Sequence, residues 1–137
     1  MAKVEAAAAL PPSTSSSQFV VPLQPIEREL PARLIVGDPV PDQLARGRAV
    51  VPYRTENLII RPVFGAAALG VSPRIGHIHV TVDDSPWHWA DASGEPLIIT
   101  GLLAGPHKIL IELEDPTHHP LDKAEVRFTI PSTLLPR

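Results

Sequence analysis

The chain has 137 residues and a formal net charge of −3, so it offers no broad basic surface for nucleic acid or anionic lipid. Its 17 prolines exclude helical bundles, coiled coils and doubly wound α/β folds, because an interior proline removes a helix hydrogen bond and clashes with the preceding turn. The absence of cysteine excludes disulfides and thiolate metal sites, and no apolar run approaches the roughly 20 residues that span a membrane.

The first 30 residues have the composition of a flexible arm. Alanines occupy positions 6–9, and residues 11–17 are rich in proline and serine, as in flexible spacers. The apolar block at the start is short and is interrupted by Glu5, so it is not a secretory signal as it stands. We therefore expect a flexible N-terminal arm over residues 1–30 and a single β-sandwich domain over residues 31–137.

The rest of the chain consists of short segments with strand-like composition, separated by turn residues. A proline near the start and a glycine at the end predict one helical turn over residues 41–47. We predict strands over residues 33–36, 49–53, 57–64, 75–82, 97–100, 107–113 and 124–130.

Apolar and polar residues alternate along the longest of these segments, which indicates strands with one buried face. In residues 75–82 the apolar face carries Ile78, Val80 and Val82, and the opposite face carries His77 and His79. About seven such strands with frequent turns predict an all-β fold, an antiparallel immunoglobulin-like sandwich.

His77 and His79 are two residues apart on one predicted strand, so their rings project from the same face, roughly 7 Å apart. Two such imidazoles form half of a site for Zn(II), Cu(II), Ni(II) or Fe(II), although they also suit an ordinary polar sheet face. Further ligands are available from His88, His107, His118, His119, Asp83, Asp84 or Asp91.

We assign the metal site to His77, His79, His88 and His107, with Zn(II) or Cu(II) as the expected ion. His107 shares the parity of the apolar residues in its strand, so it also suits a structural histidine that bonds a loop backbone. His118 and His119 lie in a predicted turn, where exposed histidines are usual.

Trp87 and Trp89 flank His88 and supply most of the aromatic surface of this chain. Indole rings stack on sugars and aromatic ligands, and they also close the open end of a small core. We predict that Trp87, Trp89 and Asp91 contact a small ligand, on a loop beside the histidine face.

A cupin-like β-barrel is the alternative fold. Such barrels use a His-x-His pair, a nearby carboxylate and a later histidine, and here His77, His79, Asp83 or Asp84, and His107 occur in that order. Aspartate replaces the expected glutamate and the glycine spacings are shifted, and a one-residue slip turns a strand side chain to the opposite face.

Two segments carry a resemblance to a known family: Gly-His-Ile-His-Val-Thr-Val-Asp-Asp at 76–84 and Pro-Trp-His-Trp-Ala-Asp at 86–91. With residues 101–102, 105–108 and 115–118, the chain resembles a family of uncharacterised exported bacterial proteins over about residues 31–131. This resemblance implies a periplasmic or secreted protein whose signal was removed, and it implies no activity. Residues 101–113 are more loosely similar to periplasmic immunoglobulin-like sandwiches.

These observations predict a small exported binding or accessory protein, rather than an enzyme, that holds a metal ion or small ligand at its histidine and tryptophan face. One alternative is a cupin-like metal-dependent enzyme that acts on a small organic substrate. Another is a protein-interaction module whose N-terminal arm binds another protein or a second copy of the chain.

Overall fold

Nine strands and one short helix form the part of the chain, residues 30–135, that a computed structural model describes. The predicted arm lies outside this range except for Leu30. The strands are β1 (Arg33–Val36), β2 (Ala49–Val51), β3 (Tyr53–Glu56), β4 (Ile59–Ile60), β5 (Ile75–Val82), β6 (His88–Asp91), β7 (Leu97–Ile99), β8 (Gly105–Glu114) and β9 (Pro120–Ile130). The helix is α1 (Pro41–Leu44), and a 3-10 turn spans Ala66–Gly70. Within residues 30–135 no helix has the length and apolar character needed to cross a bilayer.

Strand β5 is the centre of the largest sheet. β4 and β6 pair with successive parts of one edge of β5, β8 pairs with the other edge, and β9 follows β8. Two smaller antiparallel sheets, β1–β3 and β2–β7, complete the domain. The all-β sandwich class is confirmed. The described strands do not close into a barrel, so the cupin-like alternative is wrong for this part of the chain.

The core forms because period-two alternation turns one face of β5 and β8 inward. Ile78 and Val80 of β5 and Ile111 of β8 are completely buried, and Val51 of β2 and Leu97 of β7 pack in the same cluster. Burial of each large aliphatic side chain contributes about 1.5–3 kcal/mol. The opposite face of β5 and β8, which we call the outer face, is left for polar side chains.

Prolines and pairing partners account for the differences from the predicted strands. The strand predicted over 49–53 is divided at Pro52, and the strand predicted over 57–64 is reduced to Ile59–Ile60, because proline cannot donate a ladder hydrogen bond. The tryptophan segment predicted as a loop is instead strand β6, which pairs with residues 78–81 of β5. Strand β9 begins at Pro120, four residues earlier than predicted.

Asp83 and His107 connect the end of β5 to the start of β8. Asp83 has a left-handed backbone, with φ of 54°, and its Oδ1 accepts a hydrogen bond of 2.8 Å from the Lys108 backbone. Nδ1 of His107 donates to Asp83 Oδ2 at 2.7 Å, and Nε2 donates to the Leu103 carbonyl at 2.6 Å. The interpretation of His107 as a structural histidine that bonds a loop backbone is confirmed.

These contacts shift the pKa values of His107 and Asp83 in the directions that favour their charged forms. Burial lowers the pKa of His107, but hydrogen bonds to the Leu103 carbonyl and the Asp83 carboxylate outweigh it, so the net pKa is raised. Burial raises the pKa of Asp83, but hydrogen bonds from His107 and the Lys108 backbone outweigh it, so the net pKa is lowered. The pair is therefore an ion pair at mildly acidic pH.

Replacing His107 by alanine is expected to cost more stability at pH 5.5 than at pH 8.5. A histidine with a raised folded pKa stabilises fully below its unfolded pKa of about 6.5, and this contribution is lost as pH rises through the folded pKa. Asp83, with its lowered pKa, remains ionised at both values. We expect a loss of about 1–2 kcal/mol at pH 5.5, measured by urea denaturation. An equal loss at both pH values would contradict the ion pair.

Gly76 allows β8 to approach β5 closely just before His77. A Cβ atom at this position would overlap the carbonyl oxygen of Glu114 and would lie 3.0 Å from a methyl group of Leu58. Any larger residue therefore requires the β8 backbone to shift.

The substitution Gly76→Ala is expected to lower the free energy of unfolding by about 1–3 kcal/mol, because the added methyl group overpacks a buried strand pair. Gly70→Ala is the matched control, since a Cβ atom at Gly70 meets no heavy atom within 4 Å. Urea denaturation of both variants tests the prediction, and equal stability of the two variants would contradict it.

Candidate metal centre

Histidines of β5 face glutamates of β8 across the outer face. The antiparallel register pairs His77 with Glu114 and His79 with Glu112. Residues that are directly opposite in such a pair project to the same side of the sheet, with Cβ atoms about 4.5–5.5 Å apart. A His-x-His strand beside a Glu-x-Glu strand therefore gathers four potential metal ligands in one patch.

Two ligand atoms of this patch converge with a third from His118, which lies in the turn after β8. Nε2 of His77 lies 3.2 Å from Oε1 of Glu114 and 3.1 Å from Nδ1 of His118. Nδ1 of His118 lies 3.4 Å from the same Glu114 oxygen. We call His77, Glu114 and His118 the triad.

The turn between β8 and β9 holds His118 in place. Oδ1 of Asp115 accepts hydrogen bonds from the backbone of Thr117 and His119, and the Asp115 carbonyl accepts one from the His118 backbone. His118 has a left-handed backbone, with φ of 69°. Burial raises the pKa of Asp115, but hydrogen bonds from Thr117 and His119 outweigh it and lower the net pKa. The ring of His118 is thereby directed back toward the sheet.

Phe64 covers the inner part of the triad. Its ring centroid lies 4.9 Å from that of His77 and 5.8 Å from that of His118, with which it stacks. The His77 side chain is completely buried and that of Glu114 is 9% exposed, whereas that of His118 is 59% exposed. The triad therefore has a buried floor and one side open to solvent.

While Glu114 is ionised, hydrogen bonds cannot satisfy all three contacts of the triad. A ring nitrogen either carries a proton or offers a lone pair, and an ionised carboxylate offers only lone pairs. If both nitrogens carry protons, two donors face each other at 3.1 Å. If either nitrogen lacks its proton, its lone pair faces Glu114. A cation among the three atoms removes this conflict, because all three then act as ligands.

The separations within the triad fit a metal ion. The circle through the three atoms has a radius of about 1.9 Å, so an ion at roughly 2.0–2.2 Å from each lies about 1 Å from their plane. Burial lowers the pKa of His77, and the nearby His118 adds to this effect, although Glu114 opposes both. The neutral imidazole, which is the form that binds a metal, is therefore favoured.

The predicted metal residues divide into two groups. His77 and His79 lie on the outer face as predicted, and His88 of β6 joins them there, with its Nδ1 3.0 Å from Nε2 of His79. His107 lies on the opposite face of the sheet, and both of its ring nitrogens are engaged by Asp83 and Leu103. We therefore leave His107 out of the proposed site.

The residues predicted to contact a small ligand lie beside the histidines. Trp87 is 51% exposed, and its ring centroid lies 5.5 Å from that of Trp89, which packs against the core. Asp91 accepts hydrogen bonds from the backbone and hydroxyl of Ser93 in the following turn. Within this segment, alternation along β6 places His88 and Ala90 on the outer face and Trp89 on the core side.

Sequence reasoning did not identify Glu112 and Glu114 as ligands. Alternation alone puts both glutamates on the polar face of β8, but the register that sets them opposite His79 and His77 depends on long-range pairing. Two motifs in the sequence could have indicated these ligands: His-x-His and Glu-x-Glu lie on two strands of a fold that is predicted to be antiparallel.

Comparisons with known proteins place the chain in one family. No curated protein and no solved structure matches it. A family model does match, over residues 1–137, which is the whole chain, and its description is a family of unknown function. This agrees with the resemblance of the sequence to an uncharacterised family. The chain belongs to that family, DUF6130.

Proposed function

We propose that the protein binds a divalent transition metal ion at the triad of His77, Glu114 and His118, and that it serves as a binding or accessory protein. The observation that carries this proposal is the mutual separation of three ligand atoms, 3.1, 3.2 and 3.4 Å, at the edge of a buried region. With Glu114 ionised, no arrangement of protons turns all three contacts into hydrogen bonds, whereas a cation is bound by all three atoms.

The chemistry of the donors suits Zn(II) and other divalent transition metal ions. Two imidazoles and one carboxylate form the protein ligands of many zinc sites that keep a fourth position open, and the same set also suits Fe(II). Cu(II) binds such nitrogen and oxygen donors more tightly than Zn(II) in the usual order of affinities. The open side at His118 is where water or a small ligand completes the coordination.

Two further parts of the proposal rest on other observations. Export to the periplasm or the exterior rests on the resemblance of the sequence motifs alone. Contact with a small organic ligand rests on the exposed indole of Trp87, which lies next to His88 in the sequence. Neither part is needed for metal binding by the triad.

Removing one triad ligand is expected to weaken Zn(II) binding by at least about 100-fold, because two ligands hold the ion far less well than three. The variants are His118→Ala, which changes an exposed ring, and Glu114→Gln, which keeps the shape of the side chain but removes its charge. His119→Ala is the matched control, since it removes an exposed histidine of the same turn that lies outside the triad. Calorimetric titration of metal-free protein measures the affinities.

Zn(II) is also expected to raise the unfolding temperature of the wild type, since an ion that binds only the folded state stabilises it by about 2.7 kcal/mol at 100 times Kd. The His118→Ala variant is expected to lose most of this shift, and the His119→Ala variant is expected to keep it. Equal affinity for Zn(II) in the wild type and in both triad variants would contradict the proposal.

A further inference from the structure

A second pair of facing imidazole nitrogens lies on the outer face, beyond the triad. Nε2 of His79 is 3.0 Å from Nδ1 of His88, and the two ring centroids are 4.9 Å apart. Two ligands that each lie about 2.1 Å from one ion, at about 90° to each other, are about 3.0 Å apart. The two nitrogens therefore share an N–H···N hydrogen bond in the metal-free protein, at a separation that also matches two neighbouring ligands of one metal ion.

Rigid strands hold both rings. In the register of β5 and β6, Thr81 lies opposite His88 and Ala90 lies opposite His79, so His88 is the diagonal neighbour of His79 on the same face. The His79 side chain is 23% exposed and His88 is exposed, so solvent reaches the space beside the two nitrogens. Water can therefore supply the remaining ligands of an ion at this position.

Glu112 orients the ring of His79. Its Oε1 lies 3.9 Å from Nδ1 of His79, and this nitrogen is buried without a hydrogen-bond partner among residues 30–135. The negative charge favours the tautomer with the proton on Nδ1, which leaves the lone pair of Nε2 directed toward His88. Carboxylates that support metal-binding histidines usually accept a hydrogen bond from the other ring nitrogen, but at 3.9 Å Glu112 acts on His79 through its charge alone. Glu112 is thus a positioning residue.

The pair is also continuous with the triad. Ligand atoms of His79, Glu112 and Glu114 all lie within 4.8 Å of one another, and Glu114 is itself a member of the triad. The donors therefore form one row along the outer face, from the exposed His88 to the buried His77.

We propose that His79 and His88 form a second, weaker and solvent-facing position for a divalent transition metal ion, with Glu112 orienting His79. This position goes beyond the triad, and it does not require the triad to be filled.

Titration of the full chain with Zn(II) tests this proposal by the number of equivalents bound. The wild type is expected to bind two, one tightly and one more weakly. His88→Ala and His88→Gln change an exposed side chain and are expected to bind one tight equivalent. Glu112→Gln is expected to weaken the second equivalent by about 10- to 100-fold and to leave the first unchanged. His119→Ala is the control and is expected to bind two.

Nitrogen chemical shifts of the histidine rings give a second readout that a change in stability does not move. Addition of the second equivalent of Zn(II) is expected to shift Nε2 of His79 and Nδ1 of His88. One equivalent in the wild type, with no change in His88→Ala, overturns the second position and leaves the triad intact. If His118→Ala loses the tight equivalent and His88→Ala keeps it, the triad is supported. If His118→Ala also keeps the tight equivalent, the result contradicts the triad but not the second position.

Discussion

The pairing of β5 with β8 is the interaction on which the rest of the molecule depends. One register of this pair sends Ile78 and Ile111 into the core and sets His77 opposite Glu114 on the outer face. A slip of one residue would place the histidines in the core and the isoleucines in solvent. The apolar core therefore fixes the register, and the register in turn places the candidate ligands His77 and Glu114 side by side.

Two polar side chains, His77 and Glu114, are buried at one end of the outer face. His77 and Glu114 are shielded by Phe64 and by the turn that carries His118, although burial of polar groups is unfavourable unless they are satisfied. Gly76 permits the close approach of the two strands at this point. The metal ion that we propose at the triad would give these buried polar groups a common partner.

The sequence predicts the elements of this site better than their assembly. Alternation over residues 75–82 predicted β5 and the common face of His77 and His79, because side-chain direction in a strand is a local property. Glu114 was not identified as a ligand, since its position opposite His77 depends on pairing between distant segments. His107 was assigned to the metal site from its place in the chain order. Its side chain instead points to the other face of the sheet, where Asp83 and Leu103 bind both nitrogens.

The most direct test is anomalous X-ray diffraction from crystals of the full chain grown with Zn(II), with data collected on both sides of the zinc absorption edge. We expect an anomalous peak roughly 2.0–2.2 Å from Nε2 of His77, Oε1 of Glu114 and Nδ1 of His118. A zinc-free triad in such crystals, with His77 and His118 bound only to protein or water, would contradict it.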